Sequence, residues 1–210
     1  MTNTDIKKIY NNYLAKVIPP DFELDKGILY KTPVNEILVG FCFEKSSSEK
    51  ESLYVWSFAM PLYIEKDNIS LTFGQRLKDS KGNELWHLKN NQSIDKAIAR
   101  LASLMYDEIE SFFPVVETPE NFYRFYKDKG VKNIRINEAL VYSAIYSKSN
   151  RAKEIMKDFI AELEEEDLEI GWIKNVLLKA KELEKMIDDN HKAKAYLSKN
   201  ISETKSNLSL

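Results

Sequence analysis

Few residues in this chain have the chemistry of a reactive centre. A single thiol, Cys42, and two imidazoles, His87 and His191, are the soft ligands and near-neutral bases among 210 residues. One cysteine cannot close an internal disulfide, and with two histidines it cannot assemble the usual zinc sets. Cys42 and His87 could in principle form a nucleophile–base dyad. Cys42, however, falls in the middle of an apolar run, where a free cysteine behaves as a small hydrophobe. His87, next to Trp86, reads as a polar edge residue rather than a general base. The six glycines are scattered, with no phosphate-cradling loop and no nucleophile elbow. Glu36, Glu44, Glu65 and Asp67 lack the compact Asp and Glu-x-Lys arrangement of a metal-dependent nuclease. No catalytic residue, metal or cofactor is expected.

Charge adds little. The formal net charge is -2, with 31 basic and 33 acidic residues, so a phosphate-binding surface of the kind that carries nucleic acid is not expected. The densest acidic run, Glu162, Glu164, Glu165, Glu166, Asp167 and Glu169, reads as a solvated helix end, and any partner there would be basic. No apolar run is long enough to span a bilayer and no signal-type h-region begins the chain, so a cytoplasmic protein without membrane contact is expected.

The elements that must position these residues follow from periodicity. Ile6, Ile9, Tyr10, Tyr13, Leu14 and Val17 share one helical face, with Thr4 as the cap and Pro19-Pro20 as the stop. A short hairpin follows, with Phe22 and Leu24 on one arm and residues 28–31 on the other, turning at Asp25-Lys26-Gly27. Three strands are predicted over 35–45, 53–60 and 69–77. Their large set (Ile37, Val39, Phe41, Phe43; Tyr54, Trp56, Phe58, Met60; Ile69, Leu71, Phe73) is predicted to face packed helices. Their small or polar set includes Gly40, Cys42, Ser57, Ala59, Thr72 and Gly74. Short connections favour an antiparallel meander, and Leu85 to Leu88 could add an edge strand. A helix starting at Ser93 carries Ile98, Leu101, Met105 and Ile109 and ends before Pro114.

Beyond a linker at 114–118 the period is helical throughout. Helices are expected from Thr118-Pro119 through Phe125, over 137–146, over 151–164 and over 170–187, arranged like stacked hairpins with a weak tetratricopeptide-like flavour. Residues 191–210 keep some apolar spacing and are expected to pack loosely. The fold class is therefore α+β: residues 1–113 form an antiparallel sheet with two helices on one face, and 119–190 form a helical segment.

The small-residue set suggests a floor that either receives a closely packed helix or leaves room for a ligand. Glu44 and Arg76 stand toward its ends, the arginine suited to an ion pair with Glu44 or to an anionic ligand group. Trp56 lies on the neighbouring strand, and Glu44, Trp56 and Arg76 are the candidate binding residues.

The block LVGFCFEKSSSEKESLYVWSFAMPLYIEKDNISLTFGQRL resembles a family of bacterial proteins of unknown function. That family carries GF-x-FE, then YVW-x-F-x-x-PLY, then FG-x-RL. The likeness continues through the long helix, the helix start at Thr118 to Glu120, the stretch holding Glu138-Ala139-Leu140, and the tail. It picks out Phe41, Glu44, Tyr54, Trp56, Pro61, Tyr63, Gly74 and Arg76, and it implies no activity.

Two function classes follow. The leading one is a non-enzymatic protein-interaction module of accessory, immunity-like or adaptor type, with a protein partner. The alternative is a small-molecule-binding or hydrolytic enzyme built on the small-residue face, with Glu44 and Arg76 as its polar anchors.

Overall fold

The computed structural model describes residues 1–88, 94–129 and 133–210. The predicted helix start at Ser93 lies outside them. The chain is an α+β protein with an open antiparallel sheet and seven α-helices among the described residues. It divides into two compact units. The first holds Met1–Met60 and Ser70–Glu117; the second holds Pro61–Ile69 and Thr118–Leu210.

The first unit opens with α1 (Asn3–Asn12), which buries Ile6 and Ile9. Its cap is Thr2 rather than Thr4, because Thr2 and Asp5 close a reciprocal capping box on the first turn. A 3-10 turn, Leu14–Lys16, then replaces further α-helix, so Leu14 is buried while Tyr13 and Val17 are exposed. The hairpin forms where the sequence placed it, as β1 (Phe22–Asp25) and β2 (Ile28–Lys31). Lys26 (φ 46°) and Gly27 (φ 88°) form its two-residue turn, whose left-handed backbone suits glycine at the second position.

The sheet continues through β3 (Ile37–Lys45), β4 (Ser52–Pro61) and β5 (Gly74–Arg76), with β6 (Leu85–His87) also pairing β4. Its neighbours run in meander order. Gly40 is required by close packing within the sheet: a Cβ there would lie 2.3 Å from the Leu29 carbonyl oxygen. The strand predicted over 69–77 shortens to three residues. The Leu71 carbonyl accepts the Gly74 N–H at 3.0 Å and folds the approach into a turn.

On one face of this sheet, Phe22, Phe41 and Phe113 pack with centroids 5.2 to 6.4 Å apart. Helix α2 (Ile94–Ser111) buries Ile98, Leu101, Ala102 and Met105. Each buried Ile, Leu or Met of this set contributes roughly 1.5–3 kcal/mol. Glu108 of α2 accepts from Ser57 (2.6 Å) and from Gln75 (3.0 Å), tying the helix to β4 and β5.

These contacts correct the assignment of faces. In β4, Leu53, Val55 and Ser57 are buried on the helix side; on the opposite side Phe58 and Met60 are buried as well, and Tyr54 and Trp56 stand half-exposed. Both sets are apolar enough to sit inside, so alternation alone does not choose between them. Polar atoms do: Trp56 Nε1 finds Glu44 on the open face, and Ser57 finds Glu108 on the helix face. The small-residue floor therefore does not exist as one surface. Cys42 lies on the side of Glu44, and Ser57 lies on the opposite side.

The second unit is helical: α3 (Pro119–Tyr126), α4 (Ile134–Tyr146), α5 (Ala152–Glu164), α6 (Gly171–Glu184) and α7 (Asn190–Leu208). Successive helices from α3 to α6 pack in turn, and α7 returns against α4. Helix α4 is the centre, burying Glu138, Ala139, Val141, Tyr142, Ser143, Ala144 and Ile145. Residues 191–210, expected as a loose tail, instead form most of α7. Asp189 caps that helix, and Ala193, Leu197, Asn200 and Thr204 are buried in it. Its polar buried positions have a use. Asn200 donates to the Tyr63 carbonyl at 3.1 Å and Thr204 to the Ile64 carbonyl at 3.5 Å, satisfying the backbone of the irregular Pro61–Ile69 segment. Tyr63 is fully buried, and its hydroxyl meets Ser143 Oγ at 2.5 Å.

Candidate functional site

Glu44, Trp56 and Arg76, singled out in the sequence, meet on the sheet face opposite α2, at its half-exposed end. Trp56 and Arg76 are cross-strand partners on β4 and β5. The guanidinium lies over the Tyr54 ring at 3.9 Å and over the Trp56 ring at 4.7 Å, measured to their centroids. One terminal nitrogen reaches Glu44 at 3.2 Å and the other reaches Glu84 at 3.2 Å. Glu44 also accepts from Trp56 Nε1 at 2.7 Å. The arginine is thus held in plane by two carboxylates and backed by two rings, a geometry that only its flat fork of donors can fill. Lys78 adds a bond to Glu84 at 3.1 Å. Hydrogen bonds from Lys78 and then Arg76 hold the Glu84 carboxyl below its usual range. The expected Glu44–Arg76 pair is present, but Glu84 and Tyr54 complete the cluster. Glu84 immediately precedes the Leu85–Leu88 piece expected as an edge strand, so its approach to Arg76 depends on how β6 returns to β4.

The reactive-residue candidates separate in space or in chemistry. Burial, and then the nearby Glu44 carboxylate, push the Cys42 thiol up to about 11, which leaves almost no thiolate near neutral pH. His87 lies at Ser52 Oγ (2.8 Å) and Glu49 Oε2 (3.3 Å), a serine–histidine–glutamate trio by composition. Both partners, however, approach the same ring nitrogen, Nδ1. A hydrolytic triad needs the serine on one nitrogen and the carboxylate on the other, so that the ring can relay a proton between them. Among the described residues no cluster of three or more His, Cys, Asp or Glu residues could hold a metal ion. No helix of the described residues is long and apolar enough to cross a membrane.

The second unit holds a polar pocket that the sequence reading did not identify. It has a volume of about 120 Å³ and lies between the Ile64–Lys66 stretch, α4, α6 and α7. Arg135, Glu138 and Tyr142 project from α4 at i, i+3 and i+7, and Trp172, Asn175 and Lys179 project from α6 with the same helical spacing. Glu138 is 3% exposed and bound by Arg135 at 3.2 Å; Arg135 stacks over Trp172 at 4.3 Å. Lys179 meets Glu65 at 2.6 Å. Burial raises the Glu138 carboxyl, opposed by Arg135 and Lys66, and burial followed by the Arg135 charge lowers the Lys66 ammonium. The available signal was a glutamate on the apolar stripe of 137–146, four residues before Tyr142.

No protein-family model, curated protein or solved structure matches this chain. The class is defined by the fold and its two polar constellations alone: an α+β sheet unit joined to a helical unit.

Proposed function

We propose that this chain is a non-enzymatic binding protein whose sheet unit docks a protein partner on the Tyr54–Trp56–Arg76 plate. The observation that carries this reading is the guanidinium clamped by Glu44 and Glu84 over two half-exposed rings. Trp, Tyr and Arg are the residue types that dominate binding energy at protein interfaces. A side chain already fixed in place loses little conformational freedom when a partner arrives. The plate is bordered by carboxylates. Glu44 and Glu84 flank the guanidinium, and the exposed Glu23 and Asp25 lie farther out on the same face, on strand β1, through the register Glu23–Tyr30–Gly40. A partner presenting an apolar or aromatic side chain with basic neighbours complements that rim. An accessory or adaptor role, a cytoplasmic setting and kinship with the family carrying the GF-x-FE block belong to this reading.

The test begins with affinity isolation from source cells using tagged wild type and Trp56→Ala, each checked for fold by circular dichroism. Any protein retained by wild type is then purified and titrated against both. The expected result is direct binding that weakens at least tenfold in Trp56→Ala and declines with added salt. A wild type that retains nothing, or a captured protein that binds Trp56→Ala and Arg76→Ala as tightly as wild type, overturns the proposal.

A further inference from the structure

We infer that the helical unit holds a small oxyanion, a carboxylate or phosphate group, between Lys66 Nζ and Tyr142 Oη. Three observations meet in the pocket of about 120 Å³. Tyr142 lines it, is 1% exposed, and its hydroxyl has no hydrogen-bond partner among the described residues. Folded proteins rarely leave a buried hydroxyl without a partner. The second observation is charge. Arg135 and Lys179 are each matched by one carboxylate, Glu138 and Glu65. The Lys66 ammonium, half-buried at the same pocket, forms no ion pair among the described residues. Three cations therefore face two carboxylates, and one positive charge is unmatched. The third is size. A volume of about 120 Å³ suits an ionic head group, whereas drug-sized ligands occupy roughly 300–1,000 Å³.

The ammonium can only donate, and the hydroxyl can donate beside it, so a ligand shared by the two is an acceptor. A cation would have to enter beside Lys66, Arg135 and Lys179 and would leave the Tyr142 donor idle. Glu138 opposes an anion, and Arg135 on its carboxylate offsets that repulsion. Burial favours the neutral form of Glu138 and reduces the repulsion further. Tyr142 keeps its proton for the same reason: burial, then the Glu138 charge, raise its hydroxyl well above the ordinary range.

The experiment titrates the full chain with inorganic phosphate and, separately, with acetate. Ionic strength is held constant with chloride, and binding is read by melting temperature and by calorimetry. Wild type should respond saturably to at least one anion, and the arm that responds identifies the group. Tyr142→Phe, which removes only the oxygen, and Lys66→Met should each weaken that response at least tenfold. Should Tyr142→Phe fail to fold, the half-buried Lys66→Met decides alone. Lys7→Met, on α1 in the other unit, should behave as wild type. No saturable response to either anion up to about 10 mM, or equal responses in wild type and Lys66→Met, overturns the inference.

Discussion

Truncating Arg76 to alanine tests whether the plate on the open sheet face stabilises the fold or merely decorates it. The side chain is 30% exposed, and its two carboxylate partners are 46% and 34% exposed. At that exposure each ion pair contributes about 0–1 kcal/mol. Glu44 and Glu84 can rehydrate once the arginine is gone, so the large penalty of stranding a buried charge does not arise. The two ring contacts add about 0.5–1 kcal/mol each, and the aliphatic stem covers apolar surface in addition. The expected loss is about 2 kcal/mol, a fall in melting temperature of roughly 4–8 °C for a chain of this size. Arg76→Lys should recover little of it, because a point charge can neither lie flat on Tyr54 and Trp56 nor bridge two carboxylates. In a double-mutant cycle with Glu44→Ala, the Arg76–Glu44 coupling should be about 0.5 kcal/mol and shrink with salt. Thermal and urea unfolding of wild type, both single variants and the double variant measure all of this. A loss below about 0.5 kcal/mol for Arg76→Ala, or a coupling above about 2 kcal/mol, would refute the argument that stacking outweighs pairing here.

Two further outcomes follow from the helical unit. Glu138 has its folded-state carboxyl raised by burial, so the folded chain retains a proton that the unfolded chain has released. Its contribution to stability is present at low pH and is lost as pH rises through the folded value. Glu138→Gln should therefore gain stability relative to wild type as pH rises above the ordinary carboxylate range, seen as a difference in melting temperature that grows with pH; a difference independent of pH would contradict this. Leu197, fully buried on α7, should cost about 2–5 kcal/mol when cut to alanine. A change below about 0.5 kcal/mol would mean that α7 is not part of the packed unit.

The legible parts of this fold are those where one periodic pattern competes with nothing else. The hairpin at Lys26-Gly27, the Thr118-Pro119 helix start and the apolar stripes of α4 to α6 each have a local cause, and each forms where that cause lies. Strand β4 is different because both of its faces are apolar. There the choice depends on where Trp56 Nε1 and Ser57 Oγ find their acceptors, Glu44 on β3 and Glu108 on α2. Those acceptors lie 12 and 51 residues away, on other elements of the fold, so the period of β4 itself does not indicate them. Helix α7 is obscured for a related reason. Its inward positions include Asn200 and Thr204, which look like surface residues until the carbonyls of Tyr63 and Ile64 are set against them.

The same distinction separates the two candidate sites. Glu44, Trp56 and Arg76 occupy strands adjacent in the sheet, so a meander topology and the two-residue period already bring them near one another. Trp56, expected on the large-residue face, instead joins Glu44 and Arg76 on theirs, so the three still meet. The pocket of the helical unit has no such short route. Lys66 comes from an irregular segment, Tyr142 from α4 and Lys179 from α6, and no sequence spacing relates the three. What the sequence does contain is a cost: Glu138 and Tyr142 on a stripe that is otherwise apolar. A buried carboxylate and a buried phenol four residues apart weaken a helix core unless other groups answer them. Arg135 answers the first. The Tyr142 hydroxyl has no answer among the described residues, and that unmet donor is the strongest physical reason to look for one in a ligand.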